Sequence, residues 1–85
     1  MKDEFKLRGK VIQMARNLKD VSAKDLAKRA GISNRHLSKL EREVHSISKL
    51  SEIRLLRELR KVGVTNSQLV GITLIVEWEE GEFDE

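Results

Sequence analysis

The stretch from Ala23 to Arg42 reads AKDLAKRAGISNRHLSKLER. Its apolar residues recur at the three- and four-residue spacing of a helix on both sides of Gly31. Ser22 and Ser33 stand just before the two apolar runs, where a hydroxyl can cap the N-terminus of a helix. Gly31 adopts positive φ without steric cost and so ends the first helix. The stretch therefore predicts two short helices joined by a tight turn.

The apolar residues of this stretch are those that such a helix pair needs. Ala27 is small where the two helices approach most closely, and Ile32 and Leu37 can fill the corner between them. Leu26 and Leu40 complete the predicted core. This arrangement is a helix-turn-helix unit, and the second helix of such units enters the major groove of DNA.

Further helices are predicted on both sides of this unit. Residues 4–18 form an amphipathic pattern with Asp3 as a candidate N-cap, although Gly9 lowers its helix propensity. Ser46, Ser48 or Ser51 can cap a fourth helix that runs to about Val62 and ends at Gly63. Thr65 and Gln68 form a capping box for a short fifth helix over residues 66–70.

The last segment changes its period. Ile72, Leu74, Val76 and Trp78 alternate with other residues, which favours a β-strand. A strand needs a partner for its backbone groups, and a second copy of the chain is the simplest supplier. We therefore expect these four residues to form a dimer interface; the alternatives are a hairpin through Gly81 or packing on the chain's own helices.

The predicted fold class follows from these elements. We expect a mainly α domain of four to five helices, of the repressor-like helix-turn-helix type, with a C-terminal β-strand. Residues 1–70 form the predicted DNA-binding domain, and residues 71–85 form a strand and acidic tail that serve dimerisation.

Charge is distributed unevenly along the 85 residues, whose net charge is +3. Residues 1–61 contain all 17 Lys and Arg and carry +9, whereas residues 62–85 carry −6. A basic body favours a phosphate backbone as its partner. The acidic tail is expected on the side opposite DNA, or in contact with another protein.

Several classes of protein are excluded by composition. The chain has no cysteine and only two histidines, His36 and His45, so we expect no disulfide, no metal site and no cofactor. Ser33 is better used as a helix cap than as a nucleophile with His36, and no acid is placed to complete a triad, so we expect no enzyme. The N-terminus lacks an apolar signal region and no apolar run can span a bilayer, so we expect a cytoplasmic protein that associates with the nucleoid through DNA.

Over about residues 5–70 the sequence resembles the Xre/Cro/cI family of helix-turn-helix domains, the fold of the lambdoid phage repressors. The resemblance is carried by Val21–Ser33 and Leu37–Arg42. It implies a domain that binds double-stranded DNA.

The resemblance also implies roles for side chains of the second helix. Asn34, Arg35 and Lys39 match the positions that touch bases in this family. Their chemistry agrees, because Asn can bind adenine N6 and N7, and Arg or Lys can bind guanine O6 and N7. His36 and Ser38 lie on or near the same face and are further candidates for base contacts.

Phosphate contacts are expected at the ends of the two helices. Ser22 and Lys24 are near the N-terminus of the first helix, which meets a phosphate in this family, and Arg42 ends the second. The chain departs from the family at Ala23, where Gln is frequent, and after the second helix, where a Gly is usual. Glu43 stands in that second region and would repel phosphate if it faced DNA.

Two functions remain open. The first is a sequence-specific transcriptional regulator, a repressor, that binds a palindromic operator as a homodimer. The alternative is a protein-interaction module, antitoxin- or antirepressor-like, that works through the C-terminal strand and acidic tail.

Overall fold

A computed structural model describes residues 6–81, and every regular element in that range is an α-helix. The five helices are α1 (Gly9–Leu18), α2 (Ala23–Ala30), α3 (Asn34–Glu41), α4 (Lys49–Lys61) and α5 (Asn66–Glu79). The two short helices predicted around Gly31 are present as α2 and α3. Asp3, the predicted first N-cap, lies outside the described residues.

Local capping explains where four of the helices begin. Their N-cap hydroxyls each accept a hydrogen bond from the backbone N–H three residues later; the four caps are Ser22, Ser33, Ser48 and Thr65. Gln68 Oε1 also accepts from Thr65 N at 3.0 Å, which completes the predicted capping box. Gly31 ends α2 with φ 75°, in the left-handed region. The predicted caps and the predicted helix stop are therefore confirmed.

α1 begins at Gly9, and this glycine allows α1 to approach α3 closely. A Cβ atom on Gly9 would overlap the carbonyl oxygen of Leu40 and lie 3.0 Å from that of Glu41. The first turn of α1 is thus pressed against the last turn of α3. Gly9 was expected only to weaken the helix, but it is required where two backbones meet.

One hydrophobic core joins all five helices. Leu26, Leu37 and Leu40 of the helix-turn-helix unit are fully buried in it, and Ala27 is buried with them. Ile32 in the turn is half-buried against the same core. The core predicted for this unit is therefore confirmed.

The predicted C-terminal strand is wrong, because α5 continues through Glu79. Leu69, Ile72 and Val76 follow helical spacing and are buried, whereas Leu74 and Trp78 are exposed. The alternation misled because α5 is apolar on its outer side as well, so a helical period does not stand out. A helix also satisfies its own backbone groups, which a single strand cannot do.

Because Asn66–Glu79 forms a helix, this segment cannot supply the β-strand that was expected to pair across a two-fold axis. Two of the four expected interface residues, Ile72 and Val76, belong to the core of the chain itself. The expected boundary between residues 70 and 71 falls inside α5. Among residues 6–81, no helix is long and apolar enough to cross a membrane.

Replacement of Gly9 tests the close contact between α1 and α3. We expect Gly9→Ala to lower the free energy of unfolding by roughly 1–3 kcal/mol, because the new methyl group collides with backbone that cannot move aside. Urea denaturation followed by circular dichroism measures the change. Gln13→Ala, on the exposed side of α1, is the control and should have little effect. An unchanged midpoint for Gly9→Ala would show that the two helices do not touch there.

Candidate nucleic-acid interface

α3 presents one apolar side to the core and one polar side to solvent. Leu37 and Leu40 are buried, whereas Asn34, Arg35 and His36 are exposed. The remaining two predicted base contacts, Ser38 and Lys39, are half-buried. All five predicted base-contacting residues thus lie on the one helix, outside its buried side.

The outward side chains of α3 have no partners elsewhere in the described part of the chain. No hydrogen bond or ion pair engages the Arg35 guanidinium, the Lys39 ammonium or the Asn34 amide within residues 6–81. Arg35 and Lys39 are four residues apart and so lie on the same face of the helix. These donors are therefore available to a ligand.

The three predicted phosphate contacts lie at helix ends. Ser22 caps α2, with its Oγ accepting from Asp25 N at 3.0 Å, so its hydroxyl hydrogen remains able to donate. Lys24 is exposed in the first turn of α2, and Arg42 is exposed at the C-cap of α3. Ala23, where the family often has Gln, is half-buried in the first turn of α2.

A nearly buried ion pair fixes α3 to α1. Arg16 Nε donates to Glu41 Oε2 at 2.7 Å and Arg16 Nη2 donates to Glu41 Oε1 at 2.9 Å. The side chains are only 13% and 5% exposed. The carboxylate raises the pKa of Arg16, and Arg16 Nη1 also donates to Val21 O at 3.2 Å. One guanidinium thus joins α1, the turn before α2, and the end of α3.

Sequence reasoning missed this ion pair. The available signal was spacing: Glu41 follows Leu37 by four residues and Leu40 by one, which places it on the buried side of α3. A carboxylate on a buried side needs a cation. Arg16 lies on another helix, so the sequence did not identify the partner.

Glu43 occupies the region where the family usually has a glycine, and it adopts the backbone conformation that favours glycine, with φ 63°. Its carboxylate accepts from Lys10 N at 3.3 Å and from Arg8 Nη2 at 3.0 Å. Arg8, the N-cap residue of α1, makes no side-chain capping bond, so Glu43 supplies an acceptor to the first turn of α1. Glu43 therefore interacts with α1 and is partly neutralised by Arg8.

The Arg8 guanidinium also holds the C-terminal end of α5. Arg8 Nη1 and Nη2 donate to the two carboxylate oxygens of Glu80 at 2.7 and 3.0 Å, and Lys10 Nζ lies 3.2 Å from Glu80 Oε2. Hydrogen bonds from Arg8 lower the pKa of Glu80, and the two carboxylates raise the pKa of Arg8. Three segments far apart in the chain therefore meet at one guanidinium.

Comparison with known families agrees with this architecture. The Helix-turn-helix family model matches residues 12–59, more than half of the chain, from the first turn of α1 almost to the end of α4. The chain belongs to the helix-turn-helix family. The Xre/Cro/cI-like resemblance is thereby confirmed, and the protein is a DNA-binding regulator of a family that is generally non-enzymatic. Comparison with curated proteins and with solved structures gives no match.

A basic groove of about 280 Å³ flanks the turn of this helix-turn-helix domain. Four cations line it beside Gly31, namely Lys28 and Arg29 from α2 and Arg54 and Arg57 from α4, together with Glu58, which pairs with Lys61 at 3.4 Å. Arg29 is paired with Asp25 at 3.2 Å, and both side chains are exposed. The groove extends positive charge from α2 to α4, which favours a polyanion as partner.

Removal of Arg16 tests whether the ion pair positions α3. We expect Arg16→Met to lower the free energy of unfolding by roughly 3 kcal/mol, because Glu41 is left buried without a cation. Arg29→Met, which breaks the exposed pair with Asp25, is the matched control and should change it by less than about 1 kcal/mol. Denaturant midpoints measure both. Equal effects would show that Glu41 is not desolvated in the folded protein.

The lowered pKa of Glu80 predicts a pH dependence. Because this pKa is depressed on folding, the stability that Glu80 contributes is present above its ordinary pKa and is lost as the pH falls through its folded pKa. We expect Glu80→Gln to have a lower Tm than the natural chain at pH 7, and the difference to close below about pH 4. Glu79→Gln, a neighbour outside the Arg8 network, should show no such gap. A gap that persists at pH 2 would contradict the ion-pair explanation.

Proposed function

We propose that this DNA-binding regulator is a repressor that reads double-stranded DNA by inserting α3 into the major groove. The observation that carries the proposal is the outward side of α3, where Arg35 and Lys39 stand together without intramolecular partners among the described residues. The opposite side is fixed by the core and by the ion pair of Glu41. A rigid helix with unengaged donors suits direct readout of base edges.

Each side chain of α3 has a role that follows from its chemistry. We assign Arg35 and Lys39 to guanine O6 and N7, and Asn34 to adenine N6 and N7. His36 and Ser38 provide further donors and acceptors at neighbouring positions. Exposure supports the first-turn residues most strongly, since Asn34, Arg35 and His36 are all exposed.

Phosphate contacts would set the register of α3 in the groove. We assign them to Ser22 and Lys24, where the N-terminus of α2 also offers backbone N–H groups, and to Arg42. These contacts add affinity without selecting a sequence. Two copies related by a two-fold axis would bind a palindromic operator, and occupation of an operator excludes other proteins from the same DNA. The alternative function through an added β-strand has no support, because that segment is α5.

Substitutions of Arg35 and Arg42 distinguish sequence-specific base contacts from contacts with the phosphate backbone. Sites are first selected from a random duplex pool at near-physiological salt, where a palindrome is the expected result. We then expect Arg35→Ala to weaken binding by roughly 1–3 kcal/mol and to relax preference at one base position. Arg42→Ala should weaken all sequences alike and reduce the slope of log K against log salt by about one. Fluorescence anisotropy titrations measure both, and unchanged affinity for Arg35→Ala would refute the assignment of α3.

A further inference from the structure

The basic groove beside Gly31 brings together charges of one sign from two helices. Lys28 and Arg29 line it from the C-terminal end of α2, and Arg54 and Arg57 line it from α4. A Cβ atom on Gly31 would lie 3.9 Å from Arg54 Nη1, so the guanidinium of α4 reaches across to the end of α2. All four cationic residues are exposed. The fold therefore concentrates positive charge at one point away from the outward side of α3.

The acids of the described chain leave three of these four cations without a counter-charge. Glu58 also lines the groove, but its carboxylate pairs with Lys61 at 3.4 Å and its side chain is only 12% exposed. The side chains of Lys28, Arg54 and Arg57 make no hydrogen bond or ion pair within the described part of the chain. Like charges in one groove repel one another, so this cluster costs stability unless an anion meets it.

The C-terminal end of α2 does not supply the missing negative charge. A helix C-terminus carries the equivalent of about half an elementary negative charge, located on its unsatisfied carbonyl groups. Two carbonyls of this last turn are already satisfied, because Gly31 N donates to Lys28 O at 3.2 Å and Ile32 N donates to Ala27 O at 3.0 Å. Half a charge attracts cations but does not balance three of them. The groove therefore suits an anion with more than one negative charge.

Phosphate is the class of anion that fits this groove. A guanidinium is planar and offers its N–H donors in a fork that matches phosphate oxygens. Ala30 is buried and Gly31 has no side chain, so the described lining offers no exposed apolar side chain to a ligand. The volume of about 280 Å³ is just below the roughly 300–1,000 Å³ of pockets that enclose a whole small molecule. The groove therefore suits a phosphate group whose remainder lies outside.

We propose that the basic groove is a binding site for a phosphate group, separate from the side of α3 that reads DNA. Lys28 from α2 and the two arginines from α4, Arg54 and Arg57, hold the phosphate oxygens. None of these three belongs to the residues assigned to bases or to the phosphates of the half-site. A bound phosphate joins the end of α2 to α4, next to the turn that precedes α3.

Two sources share this phosphate chemistry. One is the DNA backbone outside the half-site that α3 reads, and the other is a free phosphate ester. The DNA backbone is favoured, because the chain belongs to a DNA-binding family and the groove adjoins Gly31, three positions before α3 begins at Asn34. This choice of source rests on the proposed function, whereas the phosphate site itself does not.

Titration of the full chain with pyrophosphate, without DNA, tests the site. At constant ionic strength, we expect pyrophosphate to shift the NMR signal of the Gly31 amide until it saturates. Arg54→Gln should weaken this binding at least roughly tenfold, because charge-assisted hydrogen bonds to phosphate are lost. Arg60→Gln is the matched control, since it removes the same charge from an exposed position of α4 outside the groove. Equal binding by the two variants overturns the proposal, as does a natural chain without a saturable shift.

Glu58→Gln tests the same site with the opposite sign. It removes a carboxylate from the lining and releases Lys61 from its ion pair, so we expect pyrophosphate to bind roughly two- to fivefold more tightly. Glu79→Gln makes the same change of charge on α5, outside the groove, and should leave the affinity unchanged. Circular dichroism confirms that the variants are folded. Weaker or unchanged binding by Glu58→Gln contradicts a phosphate in this groove.

The length of the duplex distinguishes the two sources. Two duplexes carry the same selected half-site, and only the longer one continues beyond it on both sides. If the DNA backbone is the source, Arg54→Gln weakens binding to the longer duplex alone and lowers its salt slope by about one. If a free phosphate ester is the source, Arg54→Gln binds both duplexes like Arg60→Gln, although its pyrophosphate binding is weakened. Both results support the phosphate site.

Failure of this site and failure of the proposed function give different results. If α3 does not read bases, no duplex sequence is preferred, but pyrophosphate still shifts the Gly31 amide and Arg54→Gln still weakens that binding. If the phosphate site is wrong, Arg54→Gln and Arg60→Gln respond alike to pyrophosphate, while Arg35→Ala still relaxes the base preference.

Discussion

The bidentate contact between Arg16 and Glu41 is the interaction on which the placement of α3 depends. Glu41 is almost fully buried, so its charge is tolerated only because the guanidinium satisfies both oxygens. Gly9 adds a second constraint at the same end of α3, where α1 can approach only without a Cβ. Contacts on the buried side of α3 therefore hold the helix in place. The side-chain donors on its outward side take no part in those contacts.

The features that could be predicted from the sequence are those set by residues close together in the chain. Ser22, Ser33 and Gly31 act within three or four residues, so the helix-turn-helix unit could be predicted from local chemistry. The pair of Arg16 and Glu41 joins residues 25 positions apart, and no local pattern identifies such a partner. The side of α3 that faces solvent was predictable, but the contacts that fix it were not.

α5 shows how apolar residues on the exposed side of a helix can obscure its helical period. Ile72 and Val76 face the core, whereas Leu74 lies on the other side of the same helix. Apolar residues on both the buried and the exposed side of one helix combine two sets of helical spacings, and the combined pattern resembles the alternation of a strand. The expected dimer interface rested on a strand that needed a partner for its backbone groups, and α5 satisfies those groups within the chain.

Ion pairing also explains how the domain can attract a polyanion when its net charge is small. Six acids of the described chain are paired with cations; they are Asp25, Glu41, Glu43, Glu52, Glu58 and Glu80. In residues 6–81, Lys24, Lys28, Lys39 and Arg42 of the helix-turn-helix unit take part in none of these pairs, and neither does Arg35. Three of these acids, Glu41, Glu43 and Glu80, pair with cations of α1 or its N-cap, and the other three pair within their own helix. The cations of α2 and α3 other than Arg29 are left to the solvent. A cation that is exposed and outside any ion pair remains able to attract phosphate. Which cations are paired therefore matters more for DNA binding than the net charge.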